Sequence, residues 1–169
     1  AEWAWRQKEY GEREAEDGSS EPADYLPRVD AANQQRRVEY WRKTLAELDR
    51  IPFDQLSPEE KINAAVFRTS LEAFVANGPF RGWEMSSNAD SSFWSYLAPR
   101  QGYRTADEYR RYISRMRDIP RYFDEQIVNL RAGLKRGFSV PRATLEGRDA
   151  SIVPFADADL AKNPFHRAF

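Results

Sequence analysis

The chain has 169 residues and a formal net charge of -1, with 41% hydrophobic and 31% charged residues. That is enough for a hydrophobic core, and the composition is neither that of a disordered chain nor that of a membrane span of about 20 apolar residues. Near-neutral charge gives no general pull toward nucleic acid, and with no Cys and one His, His166, neither a disulfide nor a His/Cys zinc site can be assembled from this chain alone.

Residues 2–16 read as a first helix, with Trp3 and Trp5 pointing roughly opposite ways. Asp30 opens a second, in which Val38, Trp41, Leu45 and Leu48 fall at spacings of three and four on one narrow stripe. Glu39 and Lys43 would support it as an i,i+4 pair. "SPEE" at 57–60 is a strong helix start: Ser57 caps, Pro58 suits the first turn, and Glu60 completes a capping box. The helix that follows carries Ile62 and Val66 on one side and Phe67, Leu71 and Phe74 nearly opposite. Two apolar faces predict cover from both sides, and Gly78-Pro79 predicts the stop.

"TADE" at 105–108 is a second capping box. Tyr109, Tyr112, Met116, Ile119, Phe123, Ile127, Leu130 and Leu134 follow at spacings of three or four, in phase through Pro120. The expectation is one long kinked helix over about 105–137, ended by Gly137. Its Arg-rich outer face, with Asp107–Arg111 and Arg121–Glu125 at i,i+4, reads as a solvated, salt-bridged surface. Beyond it, Pro141, Pro154 and Pro164 break any period. The fold class expected is therefore all-α: an antiparallel helical bundle over 1–137, followed by an irregular segment over 138–169.

No H-E-x-x-H, P-loop, G-x-G-x-x-G or G-x-S-x-G motif occurs. Glu59-Glu60 sits in a first helical turn, where the helix dipole explains it. His166 lies in a loop-like stretch, and one His is too few for a ligand set. In "YRTADEYRRYISRMRDIPRYF" the aromatics lie on the apolar stripe and the arginines away from it. Core plus surface explains that better than base stacking, so no nucleic-acid partner is expected. The remaining stretch, "FRGWEMSSNADSSFWSYLAPRQGY" at 80–103, is long, polar-aromatic and aperiodic. It is either a structural crossover whose polar side chains bond their own backbone, or part of a substrate groove. On the second reading Asn88, Asp90, Ser91 and Ser92 supply polar contacts and Trp94 an apolar wall. These serines lack any base to activate them, so no catalytic residue is assigned.

"YLPRVDAANQQRRVEYWRKTLAELDRI", "EMSSNADSSFWSYL", "RYFDEQIVNLRAGLKRGFSVPR" and "LEGRDASI" together resemble the N-terminal part of the bacterial domain-of-unknown-function 885 family (DUF885), over nearly the whole chain. Relatives commonly read Pro-Phe-Asn where this chain has Ser86-Ser87-Asn88, so no role is carried onto Ser87. The resemblance implies a larger, mostly helical, gluzincin-like zinc metallopeptidase, often exported or a lipoprotein. Its His-Glu-x-x-Pro-Gly-His-like motif lies far downstream and is absent here. The zinc would be held elsewhere in the parent, polarising a carbonyl and activating water, so no cofactor is expected in this chain. The implied function is a non-catalytic helical part of a hydrolase, forming one wall of the cleft. The alternative is a stand-alone helical interaction or ligand-binding module. Expected partners are the rest of the parent chain, a peptide-like substrate and, for the isolated chain, a second copy. A periplasmic or extracellular setting follows from the resemblance alone.

Overall fold

The computed structural model describes residues 2–15, 18–87, 92–99 and 102–169. The structure is mostly helical, as expected. It contains helices α1 (Glu2–Glu9), α2 (Ala31–Leu48), α3 (Pro58–Asn77), α4 (Ala106–Lys135) and α5 (Arg142–Leu145), with strands β1 (Glu12–Glu14) and β2 (Ser20–Pro22). The chain divides into two compact units. One is Asp30–Trp83, and the other joins Ala1–Val29 to Glu84–Phe169.

In the unit formed by Asp30–Trp83, α2 packs against α3. The Asp30 carboxylate accepts the Asn33 N–H at 3.1 Å and caps α2. At the start of α3, Ser57 Oγ accepts the Glu60 N–H at 3.3 Å while Glu60 Oε2 accepts the Ser57 N–H at 2.8 Å. Both exchanged bonds satisfy donors that the first helical turn cannot. Replacing Ser57 with alanine should therefore destabilise this unit by about 1 kcal/mol in urea titration; an unchanged midpoint would contradict the cap's role. Trp41 stacks on Phe74 with ring centroids 4.7 Å apart. A methyl at Gly78 would lie 2.7 Å from Val38 Cγ1, so the end of α3 and α2 meet at a residue with no side chain. Leu71 is fully buried, whereas Ile62 and Val66 remain 65% and 63% exposed. Within this unit, and among the described residues, the expected cover on both sides of α3 is thus not found: α2 is the one other long helix of the unit, and it covers one face. Glu39 pairs with Arg42 at 3.2 Å.

In the other unit, the first helix is shorter than the periodicity predicts. It ends at Glu9, and Gly11 turns the chain at φ 70°. A Cβ there would approach the Tyr25 carbonyl oxygen to 2.9 Å. Residues 12–14 then pair antiparallel with 20–22, Glu12 opposite Pro22 and Glu14 opposite Ser20. An acidic run such as "EREAED" is also disfavoured at a helix C-terminus, where the dipole is negative.

Thr105 and Glu108 form the expected capping box of α4, and the helix runs on through Pro120. Its end is closed by Gly137 at φ 75° and by the Phe138 N–H donating to the Gly133 carbonyl at 2.9 Å. The buried line of α4 changes beyond Pro120. Tyr112 is buried in the first half, but in the second half the buried positions are Gln126, Asn129 and Gly133. Ile127 and Leu134, which the apolar stripe placed in the core, are 38% and 68% exposed.

The cause is the segment preceding α2. Residues 23–29 have no regular structure, yet Ala23, Leu26 and Val29 are buried. Their backbone is bonded by the side chains of α4. Asp118 Oδ2 accepts the Leu26 N–H at 2.9 Å, and Arg121 donates to the carbonyls of Leu26 at 2.8 Å and Pro27 at 3.3 Å. Glu125 Oε2 accepts the Val29 N–H at 2.8 Å, and Asn129 Nδ2 donates to the Val29 carbonyl at 2.6 Å. The Arg121–Glu125 pair read as a surface feature is present at 2.9 Å, but it is part of this strap and only partly exposed. After α4 come α5 and the 3-10 turns Arg148–Ser151, Val153–Ala156 and Pro164–Ala168. The last is tied back to α4, Tyr109 donating to the Ala168 carbonyl at 2.5 Å and Tyr112 to that of Phe165 at 2.8 Å.

Candidate functional site

The polar-aromatic stretch contains only short 3-10 turns, Gly82–Met85 and Phe93–Tyr96 among them. At its entrance the buried Glu84 carboxylate pairs with Arg136, whose guanidinium lies over the Phe138 ring at 4.2 Å from its centroid. Glu84 is thereby committed to holding the stretch against the end of α4. Ser87 and Ser92 then face each other as an isolated antiparallel bridge. Both are buried, and their Oγ atoms are 3.4 Å apart.

Three of the expected contact residues, Asn88, Asp90 and Ser91, lie outside the described residues. The other two are described and have different surroundings. Ser92 precedes the 3-10 turn Phe93–Tyr96, its carbonyl accepts the Ser95 N–H at 3.0 Å, and its hydroxyl faces Ser87. The Ser92 hydroxyl is thus engaged with another side chain inside the bridge. Trp94 Nε1 donates to Ser151 Oγ at 3.1 Å. Its indole borders a cavity of about 260 Å³ walled by Ile119, Phe123, Ile152, Phe155 and Phe165. Phe93 anchors the turn, its ring lying 5.0 Å from Phe123 and 5.9 Å from Tyr122 on α4.

Nothing in the sequence pointed to Ile152, Phe155 or Phe165, because the proline-broken C-terminal segment has no period to place them. The signal available was their apolar character between turn residues. The cavity can receive an apolar side chain, since its walls offer dispersion contacts and few polar atoms. His166 is exposed and packs on Phe169 at 5.5 Å between ring centroids, so it is not placed to activate either serine.

Among the described residues no three His, Cys, Asp or Glu side chains converge in a way that could hold a metal ion. No helix among the described residues is long and apolar enough to cross a membrane. A family model described as bacterial protein of unknown function (DUF885) matches residues 10–168. No curated protein and no solved structure matches the chain.

Proposed function

Because the chain belongs to the DUF885 family of bacterial proteins of unknown function, we propose that it is a non-catalytic, N-terminal helical part of a zinc-dependent peptidase-like hydrolase. In that reading residues 84–94 form one wall of the substrate cleft, in an exported or lipoprotein enzyme acting on a peptide-like substrate. The observation that carries it is Trp94: its indole is held by Ser151 at the edge of an apolar cavity of about 260 Å³. That volume suits one apolar side chain of a larger ligand rather than a whole cofactor. The work asked of this chain is positioning and exclusion of water, with the chemistry supplied elsewhere in the enzyme.

In the enzyme that contains this chain, Asn88→Ala and Asp90→Ala should raise KM or lower kcat several-fold while leaving the melting temperature near that of the parent. Unchanged kinetics in both variants would remove residues 84–94 from the cleft.

A second reading, a helical interaction module, is favoured by the exposure of Ile62 and Val66 on α3. A His-Glu zinc motif in the reading frame beyond Phe169 would decide for the hydrolase, and its absence for the module. Light scattering of the isolated chain tests the self-association that such a surface implies.

A further inference from the structure

A second cavity, of about 350 Å³, lies between β2, residues 102–104 and the first turns of α4. It shares no lining residue with the Trp94 cavity. Its charged lining consists of Glu21, Glu108, Arg104, Arg111 and Arg115. Glu21 is engaged by Arg111 at 2.9 Å and by Arg13 at 3.2 Å. Arg111 also holds Asp107. Glu108 accepts the backbone N–H groups of Arg104 at 2.6 Å and Thr105 at 2.8 Å, and the side chain of Arg104 is exposed to water.

Arg115 differs in combining burial with the lack of a partner. It is half-buried, and among the described residues it has neither a hydrogen bond nor an ion pair. Burial lowers its pKa, and the nearby carboxylate that acts on it, Glu12, does so only through space. Glu12 Oε2 already accepts the Ser20 hydroxyl at 2.8 Å. A guanidinium drawn partly out of water without a partner is costly to keep, and structural arginines at such positions are normally paired.

The chemistry of the lining narrows the ligand. Of the lining arginines, Arg111 is paired and Arg104 is exposed, so Arg115 is the one half-buried cation left to balance, and one guanidinium suits a monoanion better than a doubly charged phosphate. The planar fork of Arg115 matches a carboxylate with two parallel N–H···O bonds. The Tyr112 hydroxyl is taken by the Phe165 carbonyl, so Tyr112 offers its ring. Tyr103, whose ring lies 5.2 Å from that of Tyr112, lines the same cavity. We infer that this cavity is a binding site for a carboxylate, carried by a small organic acid or a peptide C-terminus, with Arg115 as its bidentate anchor and Tyr103 and Tyr112 as its walls. This inference stands apart from the cleft-wall reading, because it uses other residues and a binding readout.

The test is calorimetric titration of the full chain with acetate, inorganic phosphate, and a short apolar peptide as free acid and as C-terminal amide. The free acid should bind at least about tenfold more tightly than the amide, or acetate should bind in its place if the ligand is a small acid. Arg115→Met should abolish carboxylate binding, and Arg115→Lys should weaken it by about fivefold or more, since a point charge lacks the fork. In the absence of ligand, Arg115→Met should melt at or above the wild-type temperature, because it removes an unpaired charge. Equal binding of acid and amide without acetate binding, tighter binding of phosphate, or a sharp loss of ligand-free stability in Arg115→Met would each overturn the proposal.

Discussion

Replacing Arg121 with alanine should destabilise the protein by about 2–4 kcal/mol, read from urea denaturation followed by circular dichroism. One guanidinium donates to the carbonyls of Leu26 and Pro27 and pairs with both Asp118 and Glu125. Its loss takes the ion-pair partner from Asp118 and leaves Glu125 with Arg28 alone, while both carboxylates still hold backbone N–H groups. Hydrogen bonds to charged groups contribute about 1.5–3 kcal/mol each, and the figure is reduced because the cluster is only partly buried. Arg121→Lys should recover little, since the fork is what reaches two carbonyls and two acids at once.

The same cluster sets an acid limit. The bond from Arg121 holds the Asp118 carboxyl below its ordinary pKa. For Glu125, burial acts upward but is outweighed by the bonds from the Val29 N–H, Arg28 and Arg121, and the net direction is again down. Groups lowered on folding stabilise fully above their unfolded pKa values, about 3.9 for Asp and 4.3 for Glu, and that contribution is lost as pH falls through the folded values. Stability should therefore drop steeply below about pH 4, and Asp118→Asn with Glu125→Gln should flatten that limb while lowering stability at neutral pH. An acid limb of unchanged slope in the double variant would show that other carboxylates carry it.

Gly133→Ala is expected to go against the usual rule. In an exposed helix interior the change stabilises by about 1 kcal/mol. Here a methyl would lie 2.4 Å from the Glu84 carbonyl oxygen and 2.7 Å from that of Phe138. Both obstacles are backbone, so neither can rotate aside. The helix end or the 3-10 turn Gly82–Met85 must move, at a cost of about 2–3 kcal/mol. A variant as stable as the wild type would mean that this contact is looser than the structure has it.

What could be read from the sequence is what local chemistry encodes. Asp30, Ser57 with Glu60, and Thr105 with Glu108 mark helix starts because each side chain satisfies donors within its own turn. The starts of α2, α3 and α4 were therefore legible. Gly11 was not: its turn is stabilised by Ala23 donating to the Gly11 carbonyl at 2.9 Å, a contact from twelve residues on. The strap on α4 was hidden for another reason. Asp118, Arg121 and Glu125 at helical spacing look the same whether they face water or a backbone segment. Asn129, uncharged and 1% exposed on that line, was the one available hint. Arg115 was lost in the same Arg-rich face. Of the residues expected to contact substrate, Trp94 borders a cavity and Ser92 belongs to a buried bridge.

The strap also orders events during synthesis. Leu26 and Val29 precede their partners Asp118, Glu125 and Asn129 by 92, 96 and 100 residues. At about 5–20 residues per second, some 5–20 seconds separate the appearance of the segment from that of the helix that binds it. Until then the buried residues of the segment have no α4 to cover them. Asp30–Trp83, made in the interval, needs no such wait, since α2 and α3 are joined by a short connection. The unit that begins first at the ribosome is thus the one completed last.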